Sequence, residues 1–140
     1  MTTANVTKTL NASAQAVWEQ LSPFDRLKPG GNITAVEYQG QGVGMLRTIQ
    51  MGDGEIVERL EVLDAATTTF SYRILNDDSP LPFTDYSATV IIRDNQDGTS
   101  TVDWTGTFEP RGVPEADAIK VATGIYAGAI KGTRIALGLD

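Results

Sequence analysis

Between residues 33 and 110 the chain repeats one pattern six times, an alternating apolar run followed by a turn. The runs are "ITAVEY", "VGMLRTIQM", "EIVERLEVL", "TTFSYRIL", "YSATVIIR" and "STVDWTGTFE". The separators "QGQG", "GDG", "DAAT", "NDDSPLP" and "NQDG" are turn chemistry. Connections this short can only reverse the chain, because a parallel neighbour needs a crossover of about a dozen residues or more. The middle of the chain is therefore an antiparallel meander, and its apolar face needs a cover.

The flanks supply it. "NVTKTL" alternates and adds a first strand, with Val6 and Leu10 on one face. Ser13 offers a helix N-cap before "AQAVWEQL", whose Val17, Trp18 and Leu21 form an apolar stripe. "SPFDRLKPGG" reads as a short second helix or a turn, stopped by Pro29, Gly30 and Gly31. From Pro114 onward the spacing is helical, with Glu115 and Asp117 at the start and Lys131 and Arg134 near the end, each suited to the helix dipole. The expected order is one strand, two short helices, six strands and one long helix. That is an α+β domain over residues 1–140, a curved seven-stranded antiparallel sheet wrapped around its C-terminal helix.

Turn geometry sets which side chains face that helix. If Gln96-Asp97-Gly98 is a three-residue loop with Gly98 in the left-handed position, Ala88 faces Gly106, Val90 faces Trp104 and Ile92 faces Val102. The same register puts Tyr86 opposite Phe108, also on the inward face. At the "GDG" turn, a Gly52-Asp53 loop puts Arg47 opposite Glu58, and an Asp53-Gly54 loop puts them on a diagonal. Both registers leave this opposite-charge pair on the inward face, Arg47 between Met45 and Ile49, Glu58 between Ile56 and Leu60.

The last helix contains "TGIYAGAIKGTRIALG", and each glycine inside a helix costs about 1 kcal/mol relative to alanine. A three-four spacing runs from Ala118 through Val121, Ile125, Gly128, Gly132, Ile135 and Leu139, flanked by Ala122, Ala129 and Ala136. This stripe is expected to face the sheet, its small centre leaving space for Trp104 and Tyr86 or for a ligand.

What is missing narrows the chemistry. The chain has no histidine and no cysteine, so a histidine base, a thiol nucleophile and imidazole or thiolate metal sites are excluded. No metal or cofactor is expected. A net charge of −7 argues against nucleic acid and anionic membranes as partners. The N-terminus lacks an apolar signal region and no stretch is long enough to insert in a membrane, which leads to the expectation of a cytoplasmic protein, monomeric or a weak homodimer.

The strand order, "ASAQAVWEQL", "GVGMLR", "VERLEVLD" and "TVDWTGTFEP" running into the last helix resemble the helix-grip superfamily. It comprises START-like domains, polyketide cyclase/dehydrase-like proteins, birch-pollen-type allergens and plant abscisic-acid receptors. The resemblance implies an internal cavity for an apolar ligand such as a lipid, polyketide or aromatic metabolite. Arg47, Glu58 and Tyr86 match positions that line the polar end of that cavity in the hormone receptors. The receptors' Ser-Gly-Leu-Pro-Ala gate is absent, "QMGDGE" being a tight turn, and Trp104 stands in place of their second cavity glutamate. Hormone reception is not implied.

The expected ligand-binding set is Arg47, Glu58, Phe70, Tyr72, Tyr86, Ala88 and Trp104 from the sheet, with Val121, Ile125, Gly128 and Ala129 from the helix. Arg47 and Glu58 would orient the ligand's polar group. Two alternatives stand beside this reading. One is a cyclase/dehydratase-like enzyme in which Glu58 moves a proton, Arg47 stabilises an enolate and Tyr86 orients the substrate. The other is an interaction domain without ligand, associating through the helix glycines. Residues 76–83 form either a lid or a rigid surface turn that places Leu81 and Phe83 against the core.

Overall fold

The computed structural model describes residues 1–139, so that Asp140, the last residue of the expected domain, lies outside the described residues. The chain runs β1 (Thr2–Leu10), α1 (Ala14–Leu21), β2 (Ile33–Gln39), β3 (Leu46–Met51), β4 (Gly54–Asp64), β5 (Thr69–Ile74), β6 (Phe83–Asp94), β7 (Ser100–Pro110) and α2 (Glu115–Ala136). All seven strands form one antiparallel sheet in the order β1-β7-β6-β5-β4-β3-β2. The meander closes when β7 pairs with β1, and α2 packs chiefly on β1 and β7. This is the expected α+β helix-grip arrangement.

Local signals account for most boundaries. Ser13 caps α1, its Oγ accepting from the Ala16 N–H at 3.1 Å. Gly98 turns the β6–β7 hairpin with φ 89°, and Ala88 pairs with Gly106, Val90 with Trp104, and Ile92 with Val102, while the expected Tyr86–Phe108 pair gives way to a register shift between Thr84 and Ser87, where Asp85 takes φ 55°. Gly52, at φ 59°, begins the two-residue β3–β4 loop, which sets Arg47 directly opposite Glu58.

The order differs from expectation in one element. No second short helix follows α1, and residues 22–32 run as bends and turns. A helix there would need its own carbonyls, but side chains from the sheet take two of them. Tyr38 donates its hydroxyl to the Leu27 carbonyl at 2.8 Å, and Arg47 Nη1 donates to the Phe24 carbonyl at 3.3 Å. The segment is tied to the sheet instead of to itself.

The facing of α2 also needs correction. Its buried residues are Ala118, Ala122, Tyr126, Ile130 and Thr133. Val121 and Ile125, expected to face the sheet, are 38% and 42% exposed. Gly128 and Gly132 are exposed as well, and a Cβ at either would meet nothing within 4 Å. Ala129 is half-buried. The helix is rotated by one residue, about 100°, and Gly106 explains why. A Cβ on Gly106 would overlap the Tyr126 hydroxyl, so the missing side chain on β7 is the seat of the helix tyrosine. The gap lies in the sheet and the bulk comes from the helix, the reverse of what the glycine spacing suggested.

Residues 76–83 are held as a surface turn. Asn76 Nδ2 donates to the Glu55 carbonyl at 2.8 Å, and its Oδ1 accepts from the Val57 N–H at 2.9 Å. Arg111 donates to the carbonyls of Ser79 and Leu81, which pins the other end while Phe83 is buried.

Candidate functional site

The inner face of the sheet carries one buried carboxylate among the described residues, Glu58, which is 6% exposed. Its Oε1 accepts from Arg47 twice, at 2.8 Å from Nε and 2.7 Å from Nη2. Strand parity brings both side chains inward, and the register places them face to face. Both are largely withdrawn from solvent, a position in which an ion pair is costly to desolvate and rarely serves stability alone. Phe24 covers the pair. The guanidinium carbon of Arg47 lies 3.9 Å from the Phe24 ring centroid, a cation–π contact that adds to the hydrogen bond with the Phe24 carbonyl.

A separate chain of three hydroxyls lies on the same inner face, under α2. Tyr72 and Tyr86 approach at 3.3 Å, and Tyr86 and Tyr126 at 2.5 Å, all buried. Burial pushes the pKa of all three well up, Tyr126 to about 12. The charge of Glu58 adds to the rise at Tyr72 and Tyr126, which places the carboxylate within electrostatic reach of both. These hydroxyls therefore stay protonated at neutral pH. They can donate to a ligand oxygen but are not ready bases. The Trp104 indole N–H is a further buried donor and has no hydrogen-bond partner among the described residues.

Aromatic packing fills the space between sheet and helix. Trp104 stacks on Tyr126 at 5.1 Å, Phe70 meets Trp104 edge-on at 6.3 Å, and Phe24 tilts against Tyr72 at 6.1 Å. Of the residues expected to bind a ligand, Phe70, Tyr72, Tyr86, Ala88 and Trp104 thus sit together with Glu58 on the inner face. Val121, Ile125 and Gly128 do not join them.

Two residues of the site lay outside the ligand-binding set expected from the sequence. Tyr126 ends the hydroxyl chain, and its signal was the adjacent small pair Ala88 and Gly106 on the inward face. Phe24 lies in a segment with no periodic pattern to mark it.

A hollow of about 470 Å³ adjoins the site, lined by Trp18, Pro23, Phe24, Met45, Leu60 and Leu63 among others. None of the expected binding residues lines it. Phe24 borders the hollow and lies on Arg47, so one ring separates the open space from the buried charges.

Sheet, long helix and a polar ridge on the inner face together define a helix-grip domain. The chain belongs to the polyketide cyclase/dehydrase and lipid transport family, whose model matches residues 1–136. It is similar to the solved structure of the protein XoxI from Bacillus cereus, with 29% identity, 97% of this chain and 95% of the other covered, and a TM-score of 0.82. An uncharacterized protein from Bacillus thuringiensis is 28% identical over 96% of this chain and 97% of its own, with a TM-score of 0.80. The crystal structure of Ara h 8.0201 shares the fold at 18% identity, covering 94% of this chain and 93% of that one with a TM-score of 0.75. No curated protein matches the sequence.

Proposed function

We propose that this protein binds a small, largely apolar molecule whose polar end is oriented by Arg47 and Glu58. The observation that carries the reading is the buried ion pair on the inner face, whose Arg47 lies under the Phe24 ring, the same ring that borders the hollow. Displacement of Phe24 would join the hollow to the charged pair and to the Tyr72 hydroxyl. Arg47 would then give its Nη1 donor to a ligand carbonyl or carboxylate in place of the Phe24 carbonyl. The apolar walls Trp18, Met45 and Leu60 would take the rest of the molecule. Membership of a lipid-transport and cyclase family supports a ligand of this character.

Native mass spectrometry of gently purified protein tests this, with anilinonaphthalene sulfonate as an apolar anionic probe. The expected result is a retained small-molecule mass, or probe fluorescence that rises in Phe24→Ala and falls in Arg47→Gln. Absence of both a retained mass and probe binding, in the parent protein and in Phe24→Ala, overturns the reading.

A further inference from the structure

β1 is the outermost strand of its side of the sheet and pairs only with β7. Its other edge is open. At one end that edge is already in use, where Arg134 of α2 donates through Nη2 to the Thr9 carbonyl at 3.1 Å. Main-chain groups alternate between the two edges of a strand, so Asn5 and Thr7 present theirs on the same side as Thr9.

Between β1 and α2 runs a groove of about 580 Å³, with Val6 and Lys8 on the strand and Lys120, Thr123, Gly124 and Ala127 on the helix. The helix wall is low, since a Cβ at Gly124 would meet nothing within 4 Å. Lys8 and Lys120 therefore stand on either side of one groove in a chain of net charge −7. Among the described residues, neither lysine belongs to an ion pair. Among the described residues, no carboxylate comes within 4.0 Å of either cation.

We propose that the groove docks an extended acidic segment of a partner protein. The segment adds as a strand to the open edge of β1 and lays its carboxylates between Lys8 and Lys120. Main-chain pairing supplies attachment, and the small helix side chains leave room for the segment's alternate residues. Within the groove, the lysines favour acidic side chains over basic ones. A second copy of this chain fits poorly, because two-fold pairing along β1 would bring the same lysines toward each other.

The test is an NMR titration of the intact protein with a short blocked peptide alternating glutamate and valine. Amide shifts are expected along Thr3–Thr9 and Lys120–Ala127, with slowed exchange at Asn5 and Thr7. A peptide with lysine in place of glutamate should bind about tenfold more weakly, and the double variant Lys8→Glu, Lys120→Glu should reverse that preference. Both side chains are exposed, so the amide spectrum of the variant reports an unchanged fold. Gly124→Val, which fills the groove, should remove the β1 shifts. Absence of shifts on β1, equal response to both peptides, or full binding by a peptide N-methylated at alternate amides overturns the proposal.

Discussion

The two ends of the inner face are closed by different means. Under α2 the closure is ring on ring, with Phe83 4.5 Å from Phe108, Trp104 5.1 Å from Tyr126, and no space for even a methyl group at Gly106. At β3 and β4 the cover is Phe24, carried by a segment without regular structure and anchored through Arg47. Burial at the two ends is similar, Phe108 being 0% and Phe24 5% exposed, yet the mechanical setting is not. A residue locked between a sheet and a long helix moves only if both move. One on a loop can leave with little else disturbed, which is where local opening is expected.

The same truncation at each end measures that difference. Phe108→Ala should lower stability by about 4–5 kcal/mol, because the surrounding rings cannot collapse into the void. Phe24→Ala should cost about 2–3 kcal/mol, since the loop can settle over the vacated site. Denaturant midpoints at unchanged slope give both values. Equal losses would mean that the loop is as rigid as the helix.

Alkaline titration probes the closed end next. Burial raises the folded-state pKa of Tyr72, Tyr86 and Tyr126 above the ordinary value of 10.0, that of Tyr126 to about 12. The unfolded chain then loses these protons first. Stability is complete below about pH 10 and falls as pH climbs toward 12, by roughly 1 kcal/mol for each such tyrosine at about pH 11. Phenolate absorbance followed beside circular dichroism should show Tyr38 ionising before unfolding and the other three only with it. Ionisation of all four tyrosines near the ordinary value in folded protein would contradict the closed hydroxyl chain.

The smallest effect belongs to the outer face of α2. With open space around it and ordinary helical backbone, Gly128→Ala should stabilise by about 0.5–1 kcal/mol, through loss of unfolded-state freedom. A thermal or denaturant shift in the stabilising direction checks it. A loss would put Gly128 back against the sheet.

These outcomes bear on what could be read from the residues alone. Turn chemistry carried the meander and the β6–β7 register, because Gly98 fixes the loop and a strand's period of two fixes the rest. Parity likewise put Arg47 and Glu58 on one face whichever loop joined them. The helix gave weaker guidance. Ala118–Val121–Ile125 and Ala118–Ala122–Tyr126 are neighbouring stripes on one cylinder, and counting aliphatic residues favours the first. What selects the second is the fit of one tyrosine to one glycine on another element, a tertiary fact with no local period. Phe24 was hidden for a similar reason, since its place depends on Arg47 and Tyr72 far along the chain.

The fit of Tyr126 over Gly106 has a consequence for how this chain can diverge. Adding a carbon at 106 demands removing atoms at 126, and a smaller residue at 126 would leave a void above the sheet that only a larger partner could fill. The two positions form a single packing unit within the fold. Homologous chains should change them together, and graft either one from a relative only at the expense of the other.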